Sequence, residues 1–293
     1  MINTAIILST YNGGKFLTQQ LDSIFNQTYS QFILYIRDDG STDNTLEILN
    51  DYCRKYENVV IFNDENKNMG AAASFLWLLK NVEAKYYMFC DQDDVWLENK
   101  VEVQVENIEK SNYNQNVPIV VFHDLILTNS EGEVINESFW DLQNFQVDKI
   151  DFDSVFVKNN ITGCACLINQ SMKNEILKFN VNSVLMHDHI IALIAYGFGK
   201  AISVKEGLIL YRDHSNSVTP KRDISFSFRI SNFFKNINRS DYLMEQIFQL
   251  EEYLKNYESF LNEKHFYRAK TFVSLRHKRP IIRFIYLKTV FHI

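Results

Sequence analysis

The chain has 293 residues, 46% of them hydrophobic, 14% aromatic and 23% charged, which suits one large globular domain or two small ones. Nine Gly and three Pro exclude collagen-like and linker-dominated chains, and 23 Phe with 15 Tyr exclude a disordered one. The net charge of −6 hides a split: residues 264–293 hold eight Lys and Arg and no acid, leaving 22 basic against 36 acidic residues elsewhere. Such a basic tail suits docking on an anionic surface, while the acidic body argues against nucleic acid as a partner.

The first half alternates strand and helix patterns. Thr4 to Ser9 is a short apolar run stopped by Tyr11-Asn12-Gly13-Gly14. Phe16, Leu17, Leu21, Ile24 and Phe25 then recur at helical spacing. Phe32 to Ile36 is a buried strand ended by Asp38-Asp39-Gly40, and Ser41 or Thr42 can cap the helix that Leu46, Leu49 and Tyr52 continue. Val59 to Phe62 and Tyr86 to Cys90 are further strands, with a helix over Ala71 to Leu79 between them. Continuous apolar strands alternating with helices predict a mostly parallel α/β sheet covered on both faces. Such sheets bind ligands beyond the carboxyl ends of their strands, where the polar clusters 10–14, 38–43 and 91–94 all fall.

From residue 118 the pattern becomes mixed. Ile119 to Phe122, Leu125 to Leu127, Ile161 to Ile168 and Leu208 to Tyr211 read as strands. Ser171 to Leu177 and Asp188 to Ala195 read as helices, and beyond Asp223 the periodicity is helical. No apolar run reaches the ~20 residues of a spanning helix, and no signal segment is evident. Cys53, Cys90, Cys164 and Cys166 suggest no disulfide frame, so a reduced cytosolic compartment is expected. A strand would put Cys164 and Cys166 on one face, yet no second Cys/His pair stands nearby to complete a zinc site.

Asp91-Gln92-Asp93-Asp94 is the sharpest chemical signal. Three carboxylates at a strand end repel one another unless a cation intervenes, and hard oxygen ligands suit Mg2+ or Mn2+ bound together with phosphates. The bland alternative is an acidic turn with Asp94 capping a helix. One of Asp38 and Asp39 can cap a turn, leaving the other for a nucleobase edge or ribose, with Thr10-Tyr11-Asn12 lining the pocket and Tyr11 stacking. In His187-Asp188-His189 the aspartate is either a helix cap or a general base. His214 either completes a metal shell or lies on the surface.

These blocks, in this order, resemble family-2 glycosyltransferases with the GT-A fold: Ile7-Leu8-Ser9-Thr10-Tyr11-Asn12, Gln27-Thr28-Tyr29 and Arg37-Asp38-Asp39-Gly40-Ser41-Thr42-Asp43, then Asn68-Met69-Gly70 and Asp91-Gln92-Asp93-Asp94-Val95-Trp96. Ile161-Thr162-Gly163-Cys164, Met186-His187-Asp188 and Tyr211-Arg212 with His214 resemble the rhamnosyltransferase-like branch. The resemblance spans about residues 4–217. It implies a GT-A domain over 1–222, with a nucleotide half (1–110) and an acceptor half (111–222), and leaves 223–293 as a helical basic extension.

The resemblance also implies roles. Asp39 would bind the base, with Thr10, Tyr11, Asn12, Asn68, Gly70 and Gln92 around the nucleotide. Asp91 would face ribose or metal, Asp93 and His214 the cation, and Asp188 would be the catalytic base. Asp94, Trp96, Asp124, Thr162, Gly163 and Cys164 would lie on the acceptor side. His189 departs from the bulky aromatic common in that branch after the catalytic aspartate. The implied enzyme is inverting and uses dTDP-rhamnose, with UDP-hexoses as the alternative, plus Mn2+ or Mg2+. Its expected acceptor is a saccharide, lipid-linked, of a bacterial surface polysaccharide. Interleaved Arg and apolar residues over 279–291 fit either a helix lying on the inner face of the membrane or a packing or dimer contact. Rival readings are a Mg2+-binding receiver-like signalling module, which would leave Asp188 and His214 without a task, and an inactive sugar-nucleotide binder.

Overall fold

The computed structural model describes residues 3–111, 114–156, 158–180, 186–213, 240–278 and 286. Strands β1 (Thr4–Thr10), β2 (Phe32–Asp38), β3 (Val59–Phe62) and β4 (Tyr86–Cys90) alternate with helices α1 (Leu17–Phe25), α2 (Thr45–Lys55) and α3 (Ala71–Asn81). These four strands pair in parallel in the order β3-β2-β1-β4. Short β5 (Val95–Trp96) and helix α4 (Lys100–Lys110) follow. Next come β6 (Ile119–Thr128), β7 (Val134–Asn136), α5 (Phe139–Leu142), α6 (Phe152–Val155), β8 (Cys166–Asn169), α7 (Gln170–Ile176), α8 (His187–Gly197) and β9 (Lys200–Arg212).

The sheet continues as β4-β8-β6-β9-β5, with β7 on β6. Strand β8 is antiparallel to β4 and β6, while β9 is parallel to β6, so the sheet is mixed and, among the described strands, mostly of one direction. Two strands read separately from sequence, 119–122 and 125–127, are one strand with register shifts around Asp124. The run 161–168 is a strand only from Cys166, because Gly163–Ala165 forms a 3₁₀ turn. Cys164 and Cys166 therefore fall in opposite core layers, not on one face as expected.

Alternation along each strand divides the core. Ile6 and Leu8 pack beneath α1, α2 and α4, whereas Ala5 and Ile7 pack beneath α3 and α8. Helices α9 (Ser240–Tyr257) and α10 (Glu263–Ser274) join the second layer, burying Ile247, Leu250, Tyr253, Tyr257, Ala269 and Phe272. The described part of the C-terminal extension thus shares the hydrophobic core of the sheet. Among the described residues no helix is long and apolar enough to cross a membrane.

Candidate active site

Strand register gathers the polar clusters at one edge. Thr10 pairs with Asp38 and Leu8 with Cys90, so β1, β2 and β4 end side by side. Antiparallel β8 brings its starting turn, Gly163–Ala165, to the same edge, since Met88 pairs with Leu167. The loops then lace together. Gln92 accepts from Tyr11 N at 2.9 Å and donates to Tyr11 O at 3.0 Å. Asn12 N donates to Ser41 Oγ at 2.8 Å, and Thr42 N to Asn12 Oδ1 at 2.8 Å. Ser41 and Thr42 therefore tie down the first loop and do not cap α2, which starts at Thr45 behind Asp43. Tyr11 remains 49% exposed, a free ring at the rim.

Asp38 and Asp39 divide their work. Asp38 is held within its turn by Thr10 Oγ1, Gly40 N and Ser41. Asp39 is buried, accepting from Arg37 Nη1 at 2.8 Å, Met69 N at 3.0 Å and Gly70 N at 2.8 Å. Asn68 at φ 57° and Gly70 at φ 81° are left-handed, which turns those two amides toward the carboxylate. Arg37 is fully buried and also bonds Asp64, Ser74 Oγ and Asn66 O. A guanidinium inside an apolar strand thus fixes both the Asp39 loop and the turn before α3. The sequence reading gave Arg37 no role, although a cation at the end of the apolar run Phe32–Ile36 was its visible signal.

At the end of β4, Asp91, Asp94 and Cys164 offer ligand atoms within 4.8 Å of one another. Burial raises the Asp91 carboxyl to about 7, helped by the negative charges of Asp93 and Asp188. Asp94 is pushed well up by burial and by Asp93 and Asp91; its Oδ1 accepts from Arg212 N, while its Oδ2, fully buried, makes no hydrogen bond. Uncompensated negative charge, an orphaned carboxylate oxygen and a hard donor set are what a divalent cation would neutralise, so these residues fit one.

Asp188 stands in the first turn of α8, half-buried, where backbone amides of its own turn, Gly163 N–H and the Asn159 side chain face its carboxyl. Burial outweighs these donors and raises it to about 7. Asp188 is close enough for its charge to act on Asp91, so the base candidate and the acidic cluster share one site. His189 turns inward, to Val155 O and Gln249, away from solvent. The departure from an aromatic after Asp188 is thereby a core feature of this chain.

The remaining expected residues are placed as follows. Gly163 and Thr162 form the turn facing Asp188, and Cys164 is buried beside Asp91. Trp96 is buried under the Lys100 ammonium, 3.7 Å from its ring centre. Asp124 is buried, accepting from Leu125 N and Trp140 N, and floors a cleft of about 560 Å³ with Trp140, Phe145 and Lys205. His214 lies outside the described residues. Two further basic residues were missed as organisers. Arg212 reaches Asp93 O, Ser130 O and Gln19 Oε1. Lys100, fully buried and lowered by burial to about 8, lies behind Asp94 and the buried thiols.

A mixed sheet whose parallel half ends in a polar rim, joined to an acidic cluster and a half-buried aspartate, has the architecture of the GT-A class of glycosyltransferases. The profile of Glycosyl transferase family 2 matches residues 5–172, and the chain belongs to that family. It is 26% identical over 228 residues to the dTDP-rhamnosyl transferase RfbG of Shigella flexneri, covering 72% of each chain. It is 29% identical over 203 residues to a poly(ribitol-phosphate) beta-glucosyltransferase of Bacillus spizizenii, covering 68% of this chain and 30% of that one. In fold it is similar to S. aureus TarS 1-349 in complex with UDP, with a TM-score of 0.59 at 15% identity over 98% of this chain and 91% of that one. It is also similar to the Pyrobaculum calidifontis mannosyltransferase PcManGT in complex with GDP-Man and Mn2+, with a TM-score of 0.51 at 15% identity over 97% of this chain and 78% of that one.

Proposed function

We propose that the protein is an inverting glycosyltransferase that moves a sugar from a nucleoside diphosphate to a saccharide acceptor in bacterial surface polysaccharide synthesis. The observation that carries this reading is the turn shared by the two groups: Gly163 N–H faces the Asp188 carboxyl while the Cys164 thiol lies within 4.8 Å of the ligand atoms of Asp91 and Asp94. A group poised near neutral pH is suited to take a proton.

In this reading Tyr11 stacks on the base, and Asp39, with Thr10, Asn12, Asn68, Gly70 and Gln92, shapes the nucleoside end. Asp91 and Asp93, with Asp94 and Cys164 adjoining, would hold Mn2+ or Mg2+, whose charge would stabilise the departing diphosphate. Asp188 accepts the proton of the acceptor hydroxyl while that oxygen bonds to the anomeric carbon. The bond from that carbon to the diphosphate oxygen breaks on the opposite face, which inverts the centre. Rhamnose from dTDP-rhamnose is the favoured donor, supported by the Shigella relative. A UDP-hexose is the second reading, supported by the Bacillus glucosyltransferase and the UDP-bound fold neighbour.

A thermal-shift panel of dTDP-rhamnose, UDP-glucose, UDP-GlcNAc and GDP-mannose, each with Mn2+, Mg2+ or chelator, tests donor and cation together. One donor should stabilise the protein in a cation-dependent way. If none does, the reading is lost.

A further inference from the structure

His189 is held from both sides. Its Nε2 lies 2.8 Å from Val155 O on α6, and its Nδ1 lies 2.7 Å from Gln249 Nε2 on α9. A carbonyl only accepts, so Nε2 must carry the hydrogen; the bare Nδ1 then accepts from the Gln249 amide. This assigns the neutral ring with one tautomer, and it orients the Gln249 amide. The opposite amide orientation would present oxygen to Nδ1 and require a doubly protonated ring. Burial disfavours that form, lowering the His189 pKa to about 4. Gln249 is fully buried and His189 is 3% exposed, so water does not compete for these bonds.

The strut joins three helices at one point. Asp188 immediately precedes His189 in the first turn of α8, where a small rotation of the helix would redirect its carboxyl. Ile247 and Leu250, flanking Gln249 on α9, are buried in the same core layer as Ile190 and Val155. Helix α9 is therefore fixed to the sheet by packing and to the base-bearing turn by a directional hydrogen bond.

We propose that Gln249 is a positioning residue for transfer: through His189 it fixes the first turn of α8 and so aims Asp188 at the acceptor hydroxyl. This rests on the reading of Asp188 as the base. It makes the C-terminal helices part of the catalytic unit, although they lie beyond the residues matched by the family profile.

The test uses the full chain with Gln249→Met, which keeps length and removes the donor, and Gln249→Leu, which removes the donor with a shorter side chain. Nitrogen-15 NMR of histidine-labelled wild type should show His189 neutral with Nδ1 unprotonated, and both variants should move that signal. Hydrolysis of dTDP-rhamnose and of UDP-glucose, with water as acceptor, gives kcat and KM. Calorimetry with Mn2+ and the diphosphate of the donor turned over, dTDP or UDP, gives product affinity. Misaiming a reacting group by about an ångström costs up to ~10²-fold, so kcat should fall roughly tenfold or more while KM and product affinity stay within about twofold.

Asp188→Asn is measured alongside: wild-type turnover there would sink the base assignment whatever Gln249 does. An inactive Asp188→Asn beside Gln249 variants that both keep kcat would overturn the positioning role alone. So would a protonated Nδ1 in the wild type, or parallel loss of kcat and product affinity, which marks general distortion. Gln249→Leu, which leaves the core apolar, decides the matter should Gln249→Met disturb packing.

Discussion

The imidazole of His187 lies so close to Gly163 that a Cβ on that glycine would come within 2.4 Å of Nε2. The ring cannot retreat, because it is stacked on Phe89 at 4.5 Å and against Phe75 at 4.7 Å between ring centres. Gly163→Ala must therefore displace the turn that supplies an amide to Asp188 and carries Cys164. Overpacking of this kind costs ~1–3 kcal/mol, read as a lower urea midpoint, and transfer should fall with it. Full activity and an unchanged midpoint would mean that the turn yields freely.

Asp188 is raised from its usual 3.8 to about 7. Between those values the folded protein holds a proton that the unfolded chain has released, so stability declines as pH rises across this window and the loss is complete above it. Asp188→Asn removes that penalty. Its melting temperature relative to wild type should be higher at pH 8 than at pH 5, while transfer drops ~10²–10⁴-fold. In the wild type kcat should climb from acid pH to a plateau above about pH 7. A relative melting temperature that is flat with pH would show that Asp188 is not held protonated.

Arg37 has no exposed side-chain surface and neutralises Asp39 and Asp64, at 2.8 Å each. Removing one partner of a buried pair costs about 3–5 kcal/mol, because the stranded charge has no solvent. Arg37→Met should lose that much in urea unfolding and also weaken UDP binding, since Asp39 holds the Met69 and Gly70 amides. Arg37→Lys should not recover it, for an ammonium cannot serve Asp39, Asp64, Ser74 and Asn66 from one plane. A loss below about 1 kcal/mol in Arg37→Met would remove the network from the account of the loop.

If Asp91, Asp93 and Asp94 share a divalent cation with a diphosphate, UDP should stabilise the protein only when Mn2+ or Mg2+ is present. Saturation at a hundred times Kd is worth about 2.7 kcal/mol of apparent stability. Asp91→Asn should abolish the joint effect while leaving the cation-free protein at least as stable, because Asp91 is raised by burial and like charge. An equal UDP shift in chelator would sink the cation.

The sheet half of the fold was legible because buried parallel strands are continuous apolar runs, as at Tyr86–Cys90, where the strand has the bounds of the apolar run. The rim was legible because polar residues break those runs abruptly at Asp38 and Asp91. What failed to show was anything set by contact across the chain. Gln249 and His189 are 60 residues apart, and neither shows periodicity or spacing that points to the other. The 3₁₀ turn at Gly163 hides within an apolar run, and the His187 ring packed against it lies two dozen residues downstream. Ser41 matched the pattern of a helix cap, yet its hydroxyl donates to Asp38 and accepts from Asn12 N at 2.8 Å, an amide offered by the loop after another strand. Arg37 and Lys100 are charges at buried positions, and only three-dimensional structure shows what they neutralise.

The C-terminal region separates into two testable parts. A chain ending at residue 239 exposes the surface that Ile247, Leu250, Tyr253, Tyr257 and Phe272 cover. At ~1.5–3 kcal/mol per large buried side chain, this exceeds the margin of most domains, so that truncation should fail to fold. A chain ending at residue 278 keeps α9 and α10 and should fold, melting somewhat below the full chain because it loses Tyr286, which packs against the same core layer, and it also loses Arg279, Arg283 and Lys288. If that segment is a membrane-surface helix, the full chain should float with anionic liposomes, and the shorter one should not. Equal flotation would return the remaining basic residues, from Lys264 to Lys278, to the role of anchor. No flotation by either, with dimers of the full chain alone in light scattering, would assign the segment to self-association.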